Sequence, residues 1–122
     1  MLGLTGGTAL AVPDGTDKAS PSALRVPASA MDAVAGMQPS WNLGNTLDAI
    51  PNEDSWGNGQ TSKATFEKIA KDGFRSVRIP VTWSDHQSAT APYTIDATYM
   101  ARVKQLVDWA QDSGLYLSLI HI

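Results

Sequence analysis

The fold is decided by the stretch GFRSVRIPVTW, which spans residues 73–83. Within it the apolar Val77 and Ile79 alternate with polar residues, and this two-residue period predicts a β-strand. Gly73, the first residue of the stretch, is a residue type that ends helices. Pro80 has no N–H to give to a strand ladder, so we expect it to mark the end of the strand.

A helix-length segment lies on each side of this strand, and apolar residues recur at helical spacing in both. The first reads SKATFEKIAKD over residues 62–72, with Ser62 as the expected N-cap. The second begins at Asp96, its expected N-cap, and closes at Gly114. A shorter helix is expected to begin after Ser29 and to end at Gly36.

Two more strands are predicted outside these helices. One covers residues 38–42 and is followed by a long loop over residues 43–60, and the other is LYLSLI over residues 115–120. The order strand, helix, strand, helix, strand is typical of right-handed βαβ units. We therefore expect an α/β fold with a parallel sheet.

The alternation in the middle strand bears on the kind of sheet. Val77 and Ile79 are expected to face helices, while Ser76 and Arg78 point the other way. In a doubly wound sheet that face meets a second helix layer, where a charge is costly unless it is paired. In a closed barrel it points inward, and Arg78 lies near the mouth, where such barrels carry their active sites. The alternation alone does not decide whether Arg78 has a functional role or forms a structural ion pair.

Polar and aromatic residues follow the predicted C-terminal ends of all three strands. They are Asn42, Gly44, Asn45 and Asp48 after the first strand, Trp83 and His86 after the second, and His121 near the end of the third. In a parallel sheet these positions share one edge, so we expect them to form a common rim. Amides can bond sugar hydroxyls, and an indole face can cover the C–H face of a pyranose. Taken singly, each residue also has an ordinary structural interpretation.

Composition excludes several classes of protein. The chain has 122 residues, 43% of them hydrophobic, which suits one modest domain. The net charge is −3 and no basic stripe is visible, so nucleic acid is not an expected partner. Cysteine is absent, which excludes disulfides and thiolate metal sites. No apolar run approaches the ~20 residues of a membrane span. No metal-ligand spacing or phosphate-binding loop occurs, so no metal or cofactor is expected.

The first 27 residues differ in composition from the rest. Ala9-Leu10-Ala11 has the small-x-small form of a signal-peptidase site, although no basic residue precedes it. Residues 12–27 contain three prolines among small polar residues. We expect residues 1–27 to be a truncated signal and disordered linker of a secreted protein, and residues 28–122 to form the folded part.

Several motifs occur together and in order. They are WNLGNTLDA at residues 41–49, SWGN at 55–58, GFRSVRIPVTW at 73–83 with His86, YTID at 93–96, VDWA at 107–110 and GLY at 114–116. Over residues 38–116 the sequence resembles glycoside hydrolase family 5, in its endo-β-1,4-glucanase (cellulase) branch.

The resemblance implies the N-terminal part of a (β/α)8 TIM barrel, about its first three strands and two helices. It further implies a monomeric enzyme that hydrolyses a β-glucan polysaccharide or oligosaccharide with retention, using two Glu residues. The acid/base follows the fourth strand and the nucleophile lies at the seventh, so both fall outside this chain. Arg78 matches the arginine that supports the nucleophile, and Asn45, Trp83 and His86 match positions near the sugar.

The last residues depart from the family pattern. The third strand of the family normally ends in His-His-Asp, whereas residues 117–122 read LSLIHI and place His121 one position early. This run resembles a translated sequencing adapter, which makes His121 the weakest candidate site residue. Two other interpretations stay open at this point. One is a non-catalytic carbohydrate-binding or scaffold module, and the other is a flavodoxin-like domain, which would lack its phosphate loop.

Overall fold

The computed structural model describes residues 26–122, and residues 1–25 of the predicted leader lie outside this range. Its elements are α1 (Ala30–Gly36), β1 (Ser40–Asn42), α2 (Lys63–Lys71), β2 (Ser76–Val81), a 3-10 turn (Ser84–His86), α3 (Ala97–Asp112) and β3 (Tyr116–His121). No helix in this part of the chain is long and apolar enough to cross a membrane.

The three strands form one parallel sheet in the order β1-β2-β3. Arg78 in the middle strand is level with Asn42 on one side and Ser118 on the other. The helices α2 and α3 connect successive strands, as in two βαβ units. The predicted element order and the parallel sheet are therefore confirmed.

Capping residues explain where the two long helices begin and end. The Asp96 side chain accepts a hydrogen bond from the Tyr99 N–H at 2.8 Å, which satisfies one free donor in the first turn of α3. Ser62 occupies the N-cap of α2, but its side chain makes no capping bond. Gly73 and Gly114 follow the two helices with φ of +95° and +73°, a left-handed conformation that favours glycine.

The hydrophobic core lies between the sheet and the two long helices. Val77, Ile79 and Val81 on β2 are fully buried, with 0% of each residue exposed. They belong to a cluster whose other buried members are Leu43, Leu47, Phe66, Ile69, Val103, Leu106, Ala110 and Leu115. The prediction that Val77 and Ile79 face the helices is confirmed.

Pro80 lies inside β2 rather than at its end, since the strand continues to Val81. The Arg78 carbonyl accepts from the Leu43 N–H on the β1 side at 2.9 Å. The Val81 carbonyl accepts from the Ile122 N–H on the β3 side, also at 2.9 Å. Because backbone polar groups alternate between sides, the Pro80 nitrogen faces the β1 side, where β1 has already ended. The missing donor therefore costs no ladder bond.

The short helix α1 covers the N-terminal ends of the strands. The Ser76 hydroxyl donates to the Met37 carbonyl at 2.7 Å, and Ser76 is only 3% exposed. A side chain on Gly36 would contact the Tyr116 ring, whose hydroxyl lies 3.5 Å from an ideal Cβ. The inward-pointing face of β2 is therefore closed at this end, while Arg78 lies further towards the other end.

Candidate functional site

The loop after β1 doubles back and is bonded to the end of β2. The Thr82 N–H donates to the Leu47 carbonyl, and the Thr82 hydroxyl donates to the Asp48 carbonyl, both at 3.0 Å. Within the turn, an Asp48 carboxylate oxygen accepts from the Thr46 N–H at 2.8 Å. Thr46 and Leu47 are buried, whereas Asn45 at the tip is exposed. The turn at residues 45–48 thus packs against the core and also forms part of the rim.

Asn45 has a backbone conformation that presents it outward. Its φ is 56°, in the left-handed region that asparagine tolerates better than most residues. The Asn58 amide donates to the Asn45 carbonyl at 3.1 Å and lies 3.4 Å from the Gly44 carbonyl. Across residues 26–122 the Asn45 side chain makes no hydrogen bond to protein, so its amide is available to a ligand.

Arg78 lies on the inward face of β2 beside its register neighbour on β1. Its Nη1 donates to Asn42 Oδ1 at 2.7 Å. A Cβ on Gly44 would come within 2.9 Å of Asn42 Nδ2, so glycine at that position leaves room for the asparagine amide. Within the described range no carboxylate forms a salt bridge with Arg78. Its remaining N–H donors can therefore serve an anionic group outside this range.

Two predicted rim residues, Trp83 and His86, pack on Tyr99 of α3, and a third, His121, is bonded to Trp83. The His86 ring stacks on Tyr99 with centroids 3.6 Å apart and planes 12° apart. The Trp83 ring meets Tyr99 edge to face at 5.8 Å. Trp83 Nε1 donates to His121 Nδ1 at 2.7 Å. The structure therefore brings Trp83, His86 and His121 together, in a cluster separate from the Arg78–Asn42 pair.

Tyr99 was missed as a site residue because its position on the sequence only identified it as an apolar helix residue. Its hydroxyl lies 2.9 Å from the Leu47 carbonyl and 3.2 Å from the Thr82 carbonyl, so it joins the loops after β1 and β2. Burial, reinforced by the negative charges of Glu53, Asp48 and Asp85, raises the pKa of Tyr99 to about 12. The hydroxyl thus stays a neutral donor. The one feature of the sequence that could have indicated this role is a tyrosine in the first turn of a capped helix.

His121 does not share the face of Arg78. It is level with Val81, whose side chain packs in the core, whereas Arg78 is level with Ser118. Because side chains of neighbouring strands at one level point the same way, His121 lies on the helix side of the sheet. Its contact is with Trp83, and it has no direct place beside Arg78.

Among residues 26–122 no group of three or more His, Cys, Asp and Glu side chains is arranged to hold a metal ion. The candidate chemistry of the rim is therefore that of amides, aromatic rings and one guanidinium.

Comparison with known proteins gives a consistent result. The family described as Cellulase (glycosyl hydrolase family 5) matches residues 34–121. Endoglucanase B of Paenibacillus lautus is 45% identical over 96 residues, which cover 76% of this chain and 17% of that protein. The chain thus spans less than a fifth of the length of this relative.

Two solved structures show the same similarity in three dimensions. A tri-modular GH5 (subfamily 4) endo-β-1,4-glucanase from Bacillus licheniformis, complexed with cellotetraose, is 48% identical with a TM-score of 0.71. It covers 74% of this chain, which covers 18% of it. A GH5-4 broad-specificity endoglucanase from Clostridium acetobutylicum is 46% identical, with a TM-score of 0.70 and coverages of 72% and 27%. The three parallel strands and their helices match part of a TIM barrel, which excludes the doubly wound flavodoxin-like alternative.

Proposed function

The chain belongs to glycosyl hydrolase family 5, and we propose that it supplies the first three strands of a retaining endo-β-1,4-glucanase acting on a β-glucan. The observation that carries this proposal is the environment of the Arg78 side chain. Its guanidinium lies on the inward face of β2, is oriented by Asn42 at 2.7 Å, and has no carboxylate partner within residues 26–122. A nucleophilic carboxylate from a later strand would complete this arrangement.

We propose further that this chain is one segment of a longer barrel. A complete barrel takes about 250 residues. The outer edge of β1 is unpaired within the described range, and beside it lies a groove of about 320 Å³. Apolar side chains of Trp41, Leu43, Ile69 and Phe74 line this groove. An open strand edge next to an apolar groove suits the docking of a further strand and helix.

The two catalytic glutamates of the proposed reaction would come from outside this chain. Glu67 is exposed on α2, Glu53 is bound in an ion pair with Arg102, and neither forms a salt bridge with Arg78. In the proposed reaction one carboxylate attacks the anomeric carbon while an acid protonates the leaving oxygen, and water then releases the sugar. Arg78 would bind the nucleophile and keep it ionised, because a nearby positive charge favours the charged carboxylate.

The rim would contact the sugar chain. The free Asn45 amide can bond sugar hydroxyls, and Trp83 and His86 offer ring surfaces. Because Trp83 Nε1 already donates to His121, the contribution of Trp83 would be through its ring rather than its nitrogen. Export of the protein, suggested by Ala9-Leu10-Ala11, and a monomeric state remain parts of this proposal.

The test is to express the gene product with the sequence that follows residue 116 in its gene, beside the 122-residue chain as control. We expect the longer protein to hydrolyse carboxymethyl-cellulose and to release products that first appear as the β-anomer by NMR. The 122-residue chain should show no hydrolysis above a blank, since it lacks both glutamates. Hydrolysis by the 122-residue chain would refute the proposal. A longer protein that binds cellulose without cleaving it would also refute it, and would favour a non-catalytic carbohydrate-binding module.

A further inference from the structure

An ion pair joins α3 to the loop that follows β1. Arg102 Nε donates to one oxygen of Glu53 at 2.8 Å, and Arg102 Nη2 donates to the other at 2.9 Å. The Glu53 side chain is only 8% exposed, so this two-point contact is shielded from water. The guanidinium also lies over the Trp109 ring, 5.3 Å from its centroid. Bidentate geometry and a stacked guanidinium are features that lysine cannot reproduce.

The same two side chains close the base of a loop. Glu53 Oε1 accepts from the Thr61 N–H at 2.7 Å, and Arg102 Nη2 donates to the Thr61 carbonyl at 2.7 Å. Glu53 and Thr61 are therefore held together by one guanidinium on a helix. We call the segment from Glu53 to Thr61 the rim loop, and the Arg102–Glu53–Thr61 contacts its clamp.

The rim loop reaches the candidate sugar-binding residues. Asn58 lies within it, and its amide donates to the carbonyl of Asn45 at 3.1 Å. Asn45 has a left-handed backbone conformation, and the bond from Asn58 to its carbonyl stabilises that conformation. A continuous series of bonds thus runs from Arg102, through Glu53 and Thr61, to the loop whose Asn58 contacts Asn45.

We propose that Arg102 and Glu53 are positioning residues for sugar binding, acting through the rim loop on the orientation of Asn45. This inference rests on the proposed function, because it assumes that Asn45 faces a sugar. Neither residue touches the substrate. Their loss should weaken binding of the sugar chain and leave the chemistry supported by Arg78 largely intact, since the two groups lie on separate contacts.

The test uses the longer gene product and cellotetraose as the probe. Arg102→Ala and Asn58→Ala should each raise the KM for hydrolysis and the calorimetric Kd for cellotetraose by about tenfold, with kcat changed by less than about threefold. The double variant should bind no more weakly than Arg102→Ala alone, because both changes interrupt one series of contacts. Arg102→Lys should restore part of the affinity.

Val103→Ala is the matched control, because Val103 is buried in the hydrophobic core next to Arg102 on the same helix and supplies none of the clamp's hydrogen bonds. It should lower thermal stability and leave Kd unchanged at a temperature where all variants are folded. Equal Kd changes in Val103→Ala and Arg102→Ala, or an unchanged Kd in Asn58→Ala, would overturn the clamp. If the Kd values change as expected but the wild type hydrolyses nothing, the proposed function is overturned and the clamp is not.

Discussion

Arg78 combines an inward direction, a neutral amide neighbour and a position level with Asn42, the last residue of β1. The sequence predicted its direction, since alternation with Val77 and Ile79 determines which side of a strand a residue takes. The bond to Asn42 could not be predicted in the same way, because it depends on the register between β1 and β2.

In the longer enzyme, Arg78→Ala should lower kcat by on the order of 100-fold and change KM much less. In the role proposed for Arg78, the guanidinium would act on the charge of the nucleophile rather than on the sugar. Steady-state kinetics on a soluble β-glucan measures both constants. Arg75→Ala is the control, because Arg75 is an exposed arginine of the same segment. An effect confined to KM would contradict the role assigned to Arg78.

Glu53 makes stability depend on acid pH. Burial opposes ionisation of its carboxylate, but hydrogen bonds and charge from Arg102, with the Thr61 N–H, outweigh this and lower the pKa of Glu53 below its usual 4.5. A carboxyl with a lowered folded-state pKa stabilises the protein above its unfolded pKa, and this stabilisation is lost as pH falls through the folded pKa.

Melting temperature in the longer protein should therefore fall more steeply with acidification below about pH 5 in the wild type than in Glu53→Gln. At neutral pH, Glu53→Gln should be the less stable of the two by about 3 kcal/mol, because it leaves Arg102 without its charged partner. Thermal unfolding followed by circular dichroism at a series of pH values measures the slopes. Parallel slopes would show that the ion pair contributes no pH dependence.

At the scale of elements, the helices were predicted to within about two residues, because caps are local signals. Asp96 indicates the start of a helix because its side chain can cap the first turn. Gly73 and Gly114 indicate helix C-termini because glycine readily adopts a left-handed conformation. The loop over residues 43–60 was harder to predict. Its buried residue Leu47 packs in the core with residues distant in sequence, and the loop is held by hydrogen bonds from Tyr99 and Arg102 on α3.

The two N-caps provide a prediction for the helices. Asp96→Ala should cost about 1 kcal/mol of stability, because it removes the acceptor of the Tyr99 N–H. Ser62→Ala should cost little, since the Ser62 side chain makes no capping bond. Equilibrium unfolding of both variants of the longer protein in urea gives the comparison. Equal losses would show that the observed cap geometry does not determine helix stability.

At the scale of the whole molecule, the sheet formed by residues 26–122 has three strands, and within this range no strand pairs with the outer edge of β1. The core between β2 and its helices is closed, but the groove next to β1 exposes apolar side chains, including Trp41 and Phe74. Ser76 on the inward face of β2 is shielded from water, because its hydroxyl donates to the carbonyl of Met37 at the end of α1 and the residue is only 3% exposed. Sequence reasoning missed this since α1 has no buried residue of its own to indicate a packing role.

The isolated 122-residue chain should consequently be aggregation-prone or molten. A domain is stable by only about 5–15 kcal/mol. In the proposed barrel, neighbouring strands and helices bury part of the apolar surface of this sheet, and the isolated chain would lack that burial. We expect a helical far-UV circular dichroism signal with a weak near-UV signal. A sharp, reversible melting transition that is independent of concentration would show instead that this segment is a self-sufficient domain.

A chimera can test the proposal that this segment serves as the first three strands of a family 5 endoglucanase barrel. Residues 34–116 would replace the matching segment of the Clostridium acetobutylicum endoglucanase, whose solved structure allows the two junctions to be chosen within loops. The measurement is kcat/KM on carboxymethyl-cellulose, with the chimera carrying Arg78→Ala as the matched control. We expect the chimera to hydrolyse the substrate within about tenfold of the parent enzyme, and the control to lose activity on the order of 100-fold. A chimera that unfolds cooperatively yet hydrolyses nothing, or one whose activity is indifferent to Arg78→Ala, would contradict it.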